Sequence, residues 1–215
     1  MELEMKYAVP DRDTCDAIWE DDLIRKFADP SSMERVVMKA VYFDTEDGKL
    51  SGNNMAVRVR YEGDTVFATL KWKGTVSNGF HEREEINVPA TEMHFISSPK
   101  DLFRESEDGK VLLDLIGDEP LVNLLEMRYL RSRCRLSYGA SIMELAIDTG
   151  RIITDKGEVP IMEMEIELYA GDPKDILALG RRLQEKYRLK PEDRSKLARG
   201  LALLREESQS EACPQ

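Results

Sequence analysis

Charged side chains recur at every second position in seven segments of this chain, with apolar residues between several of them. Residues 2–6 read Glu-Leu-Glu-Met-Lys, and residues 162–168 read Met-Glu-Met-Glu-Ile-Glu-Leu. The other segments are residues 58–60, 71–73, 81–87, 131–135 and 144–148. Because residues i and i+2 lie on the same face of a β-strand, these segments predict strands with one charged face and one apolar face.

An exposed outer face explains one such strand well, but it does not explain seven. Exposed strands mix polar residue types and avoid like charges, whereas residues 131–135 are repeatedly basic and residues 163–167 repeatedly acidic. The apolar faces must therefore point outward and the charged faces inward. The predicted fold class is α+β, with a closed or nearly closed antiparallel β-barrel of about eight strands that forms a charged tunnel coated by helices.

Four regions without strict alternation are predicted to supply the helical coat. They are residues 11–28, 97–127, 174–187 and 191–206. Within the second region, the apolar cluster at residues 121–125 indicates a helix, and residues 142–148 and 151–154 are interpreted as two strands. We expect one domain over residues 1–207 and a disordered tail over residues 208–215.

The composition excludes several classes of function. The chain has 215 residues with 31 Lys and Arg against 42 Asp and Glu, so its net charge of −11 disfavours binding to nucleic acid or anionic membranes. The one exception is the 5′-triphosphate end of a nucleic acid, which we retain as a candidate ligand. No apolar run reaches about 18 residues, and the first residues do not form a signal peptide. The three cysteines are widely spaced, which disfavours a disulfide framework and favours a cytoplasmic location.

The two sets of inward charges indicate which ligands such a barrel would need. Burying like charges without compensation is costly, and Lys and Arg are suited to a polyphosphate whereas clustered carboxylates are suited to Mg²⁺ or Mn²⁺. The predicted polyphosphate-binding residues are Arg58, Arg60, Lys71, Lys73, Arg83, Arg131 and Arg133. The predicted metal ligands are Glu2, Glu4, Glu85, Glu144, Glu163 and Glu165. These residue types together predict a metal-dependent enzyme or receptor for a polyphosphorylated small molecule.

Short motifs occur along residues 2–203 in an order that resembles the CYTH family, the triphosphate tunnel metalloenzymes. The motifs are Glu2-x-Glu4-x-Lys6, Tyr42-Phe43-Asp44-Thr45, Arg58-x-Arg60, Thr69-Leu70-Lys71, Glu163-x-Glu165-x-Glu167 and Ser195-Lys196 followed by Arg199-Gly200. The details are most similar to the bacterial inorganic triphosphatases, which often carry a His-rich C-terminal helical domain. With only His81 and His94 present, we expect that domain to be absent here.

The resemblance implies a role for each group of residues. It implies that the basic residues grip a triphosphate and that Glu2, Glu4, Glu163 and Glu165 hold one or two metal ions. It further implies that Lys6 and Lys196 orient a phosphate near the scissile bond. Either Glu167 or Asp148 would position the attacking water.

The leading hypothesis is hydrolysis of inorganic triphosphate to pyrophosphate and phosphate, by a monomer or homodimer without a membrane partner. A class IV adenylyl cyclase, or a thiamine or nucleoside triphosphatase, is the alternative on the same fold. A sensor that binds polyphosphate or a nucleotide without turnover is the alternative that is not an enzyme.

Overall fold

The computed structural model describes the backbone of residues 1–210 and the side chains of residues 1–205. The strands are β1 (Glu2–Ala8), β2 (Glu34–Asp44), β3 (Ala56–Glu62), β4 (Thr65–Ser77), β5 (Phe80–Pro89), β6 (Val122–Tyr138), β7 (Ser141–Thr154), β8 (Gly157–Ala170) and β9 (Lys190–Pro191). The helices are α1 (Arg12–Trp19), α2 (Asp22–Phe27), α3 (Lys49–Gly52), α4 (Glu107–Ile116), α5 (Pro173–Tyr187) and α6 (Lys196–Ser210), with short 3₁₀ helices at Pro30–Ser32, Glu92–Phe95 and Lys100–Phe103.

The first eight strands close into an antiparallel barrel, which confirms the predicted fold class. Their order is β5-β4-β3-β2-β6-β7-β8-β1, and β1 closes the ring by pairing with β5 as well as β8. In this register Glu2 lies opposite Arg83 on β5, and Glu4 lies opposite Glu167 on β8. Strand β9 pairs with β1 next to the segment that β5 covers.

Two apolar clusters cover much of the outside of the barrel. The first lies beneath α1, α2 and α5, where Ile18, Ile24 and Leu179 pack against the outward residues of β1, β6, β7 and β8. The second lies beneath α3, α4 and the two later 3₁₀ helices, where Phe103 and Leu112 pack against β2 to β5. Each cluster removes apolar area from water and so favours the inverted arrangement of the sheet.

Helix α6 lies at one end of the barrel and contributes to its interior. Leu197 packs against a third apolar cluster that includes Tyr42, Met127 and Ile152. A β-carbon at Gly200 would lie 2.5 Å from the Leu125 side chain, so a larger residue here would require that side chain to move. Residues 191–206 were predicted to belong to the outer coat, whereas Leu197 in the first turn of α6 packs against this inner cluster.

Other boundaries differ from the sequence-based expectations for local reasons. The helix predicted over residues 11–28 divides in two, because the Asp21 carboxylate accepts the Leu23 N–H and begins α2. Residues 122–125 belong to β6, and β7 continues through Gly150, where a β-carbon would meet Tyr129. Helix α6 extends three residues into the tail predicted from residue 208, and residues 211–215 lie outside the described residues.

Within the described residues, every helix is too short or too polar to cross a bilayer.

Candidate functional site

The interior of the barrel holds a cavity of about 250 Å³, which we call the tunnel cavity. Eight cationic side chains line it, namely Lys6, Arg58, Arg60, Lys71, Arg83, Arg131, Arg133 and Lys196. Seven carboxylates also line it, namely Glu2, Glu4, Glu62, Glu85, Glu144, Glu165 and Glu167. Much of the cation set comes from β3, β4 and β6, whereas β1, β7 and β8 supply most of the carboxylates. The cavity therefore has a basic side and an acidic side.

The basic side contains arginine groups that lack full hydrogen-bond satisfaction. Arg58 donates one hydrogen bond to the Tyr42 hydroxyl at 3.2 Å, and its buried Nε has no partner among the described residues. The buried Nε of Arg60 also has none, and burial together with the neighbouring Arg58 lowers the pKa of Arg60. Burial would raise the pKa of Tyr42, but Arg58 and Lys71 hold it below its ordinary value. All these features favour an anion between the two arginines.

The acidic side contains three glutamates in one row across three strands. The register places Glu4 on β1 opposite Glu167 on β8, and Glu144 on β7 opposite the same Glu167. Burial, followed by repulsion from Glu2, Glu4 and Glu144, raises the pKa of Glu167 to about 8. Glu167 makes no ion pair with any side chain that the structure describes. Such a crowded row has the oxygen donors and the excess negative charge that a hard divalent cation needs.

Lys196 supplies the positive charge at the end of the cavity closed by α6. Its Nζ lies 2.7 Å from Asp148 and 2.9 Å from Glu165, and it also pairs with Glu163. The three carboxylates have oxygens within 4.8 Å of one another, a spacing that could hold a metal ion. Burial would lower the pKa of Lys196, but these three carboxylates raise it well above its ordinary value. The ammonium of Lys196 thus satisfies this cluster in the structure.

Two further cations complete this network of buried charges. Lys6 Nζ lies 3.1 Å from both Glu4 and Glu165. Arg131 donates from Nε and Nη2 to the two oxygens of Asp148 at 2.8 and 2.7 Å, and from Nη2 to Glu165 at 2.5 Å. Burial alone would raise the pKa of Glu165, but Lys196, Lys6 and Arg131 lower it well below its ordinary range. Glu165 therefore stays ionised and is fully paired.

Fourteen of the 17 predicted site residues line the tunnel cavity, and Lys73, Asp148 and Glu163 do not. Lys73 is exposed at a bulge of β4 between Trp72 and Thr75, with a left-handed φ of 51°. The bulge breaks the alternation after Lys71, so the sequence spacing places Lys73 on the wrong face.

Asp148 and Glu163 are buried behind the wall of the cavity. Both are 0% exposed and lie opposite each other in the β7–β8 register. Arg131 and Lys196 neutralise Asp148, and Lys196 and Arg199 pair with Glu163. These contacts disfavour Asp148 as the residue that positions water and Glu163 as a direct ligand of a metal in the cavity.

Several lining residues were not predicted as site residues. They are Tyr42, Ala56, Glu62, Asn87, Tyr129, Tyr169, Ser195 and Leu197. Glu62 continues the two-residue spacing of Arg58 and Arg60 and could have been found from it. The inward tyrosines had no such signal, because tyrosine also occurs in apolar cores.

Comparisons with known proteins identify similar sequences and folds. A family model described as the CYTH domain matches residues 1–201. A curated protein of Haemophilus influenzae, named inorganic triphosphatase, is 29% identical over 135 residues. That match covers 63% of this chain and 37% of the Haemophilus protein, so the chain corresponds to little more than a third of that relative.

Solved structures show the same fold at low sequence identity. HpAC1 from Hippeastrum, an adenylyl cyclase candidate described as having a dominant triphosphatase activity, is 20% identical with a TM-score of 0.72. The match covers 94% of this chain and 96% of HpAC1. An adenylate cyclase candidate from Bacillus halodurans is 19% identical with a TM-score of 0.61, over 93% of this chain and 96% of that one.

Proposed function

Because this chain belongs to the CYTH family, we propose that it hydrolyses inorganic triphosphate to pyrophosphate and phosphate with the help of Mg²⁺ or Mn²⁺. The observation that carries the proposal is the division of one cavity into a basic side with unsatisfied arginines and an acidic side with an unpaired glutamate. The Haemophilus relative named inorganic triphosphatase supports this choice of substrate.

The basic side is suited to a chain of phosphates. Arg58 and Arg60 are adjacent on one strand face and offer planar donors that match phosphate oxygens. Lys71 and Arg83 continue the cationic surface on β4 and β5. A small polyanion in this position would satisfy the buried donors and cancel the repulsion between the cations.

The acidic side is suited to a divalent cation. We assign Glu2, Glu4, Glu144 and Glu167 as the residues that would hold it, because they line the cavity and three of them form the row. When bound, such a cation neutralises phosphate charge and polarises the phosphoryl group. We do not assign the cation to the cluster of Asp148, Glu163 and Glu165, because Asp148 and Glu163 do not line the tunnel cavity.

The residues of the chain would direct the hydrolysis as follows. The basic side holds the triphosphate, and Lys6 and Lys196 orient the phosphate next to the scissile bond. Glu167 accepts a hydrogen bond from the attacking water and withdraws its proton. The water oxygen bonds to the terminal phosphorus, and pyrophosphate leaves as the bridging P–O bond breaks. Cationic donors already in place stabilise the charge that develops.

The described cysteines support a cytoplasmic location. Cys15 and Cys134 are buried as free thiols in the outer core, which suits a reducing environment. We therefore place the protein in the cytoplasm.

Release of phosphate from tripolyphosphate tests the function. We expect stoichiometric phosphate and pyrophosphate with Mg²⁺ or Mn²⁺, and no turnover after EDTA. Tight binding without phosphate release would contradict hydrolysis and favour a sensor. Conversion of ATP to cyclic AMP as the faster reaction would favour a cyclase instead.

A further inference from the structure

The row of cations that β3 contributes to the tunnel cavity ends at a carboxylate. Four residues of β3 line the cavity at every second position, namely Ala56, Arg58, Arg60 and Glu62. Ala56 lies at the end closed by α6, because it lines the tunnel cavity together with Leu197 of that helix. Glu62 is the last residue of β3 and lies toward the opposite mouth. The two arginines are about 7 Å apart along the strand, which is comparable with the length of a triphosphate chain.

Three carboxylates surround the guanidinium of Arg133 at that opposite mouth, and we call Glu34, Glu62 and Glu144 the acidic collar. Arg133 lies 2.6 Å from Glu34, 2.6 Å from Glu62 and 3.8 Å from Glu144. The Tyr169 hydroxyl donates to Glu144 at 2.7 Å. The charge of Arg133 is therefore used within the collar and is not free for a phosphate.

Glu62 is the member of the collar that faces a chain lying along β3. Its side chain is 18% exposed and lies 3.0 Å from Arg60. Burial would raise the pKa of Glu62, but Arg60 and Arg133 hold it below its ordinary value, so this carboxylate is ionised at neutral pH. Of the described residues that line the outer mouth, Arg135 is the other cation, and it is exposed to solvent, where salt screens its attraction.

The end of the cavity near α6 holds the phosphate that reacts. Under the proposed function, Lys6 and Lys196 orient the phosphate next to the scissile bond, and Lys196 begins the helix that closes this end. Arg83 lines the same end and is fixed by donating to Nδ1 of the buried His81 at 2.9 Å. The rest of the phosphate chain therefore extends from there toward Glu62.

We propose that Glu62 sets the length of the phosphate chain that the tunnel cavity accepts, because its carboxylate repels a fourth phosphate. The inference rests on the proposed function and adds to it the residue that selects tripolyphosphate over longer chains. The third phosphate lies beside Arg60, and a fourth would lie beside Glu62, in a partly buried place where like charges repel strongly. A longer chain is thus held back from the acidic row, and its terminal phosphate does not reach Glu167.

The test compares tripolyphosphate with linear tetraphosphate, as the ratio of their kcat/KM values with Mg²⁺. We expect the native chain to favour tripolyphosphate by about tenfold or more. Glu62→Gln keeps an oxygen that accepts from Arg133 but removes the charge, so the ratio should fall close to one. Its kcat/KM for tripolyphosphate should stay within about threefold, because that chain ends at Arg60. A loss of folded protein lowers both values equally and leaves the ratio unchanged.

Two further variants locate the effect. Glu34→Gln should keep the native ratio, because Glu34 contacts the same Arg133 but is half exposed and does not line the tunnel cavity. Asp193→Asn should keep it as well. Asp193 lines a second cavity beside α6, and its carboxylate accepts the Gly79 N–H at 2.6 Å, which asparagine can also accept.

Three results would overturn the inference. The first is a native chain that does not distinguish the two substrates, and the second is a Glu62→Gln variant that keeps the native ratio. The third is a ratio that falls in Glu34→Gln or Asp193→Asn as far as in Glu62→Gln, which would assign the effect to the charge of the whole mouth or to the opposite end of the cavity.

The inference and the proposed function can fail separately. If tripolyphosphate is hydrolysed but Glu62→Gln keeps the native ratio, the inference falls and the function stands. If tripolyphosphate is not hydrolysed, calorimetry with Mg²⁺ measures the dissociation constants of both chains instead. A native preference for tripolyphosphate that Glu62→Gln removes would then support the inference without the function, and a preference that persists would overturn both.

Discussion

Replacing Glu167 by glutamine should stabilise the metal-free protein at alkaline pH. The pKa of this carboxyl rises from an ordinary 4.5 to about 8, because it is buried and faces Glu2, Glu4 and Glu144. The folded chain therefore binds the proton more tightly than the unfolded chain does. The stability that this proton contributes is complete below about pH 4.5 and is lost as the pH rises to about 8. Glutamine resembles the neutral acid at every pH, so the variant avoids this loss.

The size of the effect follows from the shift in pKa. Each unit corresponds to about 1.4 kcal/mol, so the ionised Glu167 costs about 3–5 kcal/mol at pH 9. For a chain of this size, the variant should melt roughly 10 °C above the native protein at pH 9 and close to it at pH 5. The same substitution removes a proposed ligand for the cation, so Mg²⁺ should stabilise the native protein at pH 9 and the variant much less.

Thermal or urea unfolding in EDTA at pH 5 and pH 9 measures this difference. Glu46→Gln serves as the control, because Glu46 is exposed in the turn after β2 and should shift stability by less than about 1 kcal/mol. Equal stability of Glu167→Gln and the native protein at pH 9 would refute the crowded acidic row. If Glu167→Gln is less stable than the native protein at both pH 5 and pH 9, a cationic group absent from the structure must stabilise the ionised Glu167.

Three further substitutions test the basic side and its supports. Arg58→Ala should lower kcat/KM for tripolyphosphate by about 10- to 150-fold. The control Lys174→Ala, at an exposed lysine, should change kcat/KM by about twofold or less. Equal kcat/KM values for the two variants would place Arg58 outside the site. Lys196→Met should lower the free energy of unfolding in urea by about 3–5 kcal/mol, because it leaves buried carboxylates without their cation. The control is Lys174→Met, and an equally small loss of stability in both variants would contradict the network of buried charges. His81→Phe should raise KM about tenfold by releasing Arg83, and an unchanged KM with lower stability would show that His81 only packs.

The alternation of charge was sufficient to predict most of this architecture. A period of two specifies which residues share a face, and repeated single-sign faces cannot all be exposed to water. The inward positions of Arg58, Glu85 and Arg131 follow from that argument without knowledge of any loop. Pairing partners did not follow, because register depends on which strands meet around the closed ring.

The failures come from features that do not repeat along the sequence. The bulge at Trp72–Thr75 moves Lys73 outward, and a period of two gives no sign of it. The amphipathic pattern of α6 is the same whether the helix covers the barrel or closes its end, so the helix could be predicted but not its place. The depth of Asp148 and Glu163 depends on Lys196 and Arg199, which come from that helix. Local patterns do not contain contacts of this kind.

The closure of the barrel by β1 also determines the order in which the chain can fold during synthesis. Residues 2–8 leave the ribosome well before their partners at residues 80–83 and 163–167. Lys196, which neutralises the innermost carboxylates, is made later still. Until then the nascent chain exposes open strand edges and uncompensated charges, a state in which other chains and proteases can act on it. Contacts of such long separation in sequence also favour slow folding, so the barrel should form as one late event after most of the chain has been translated.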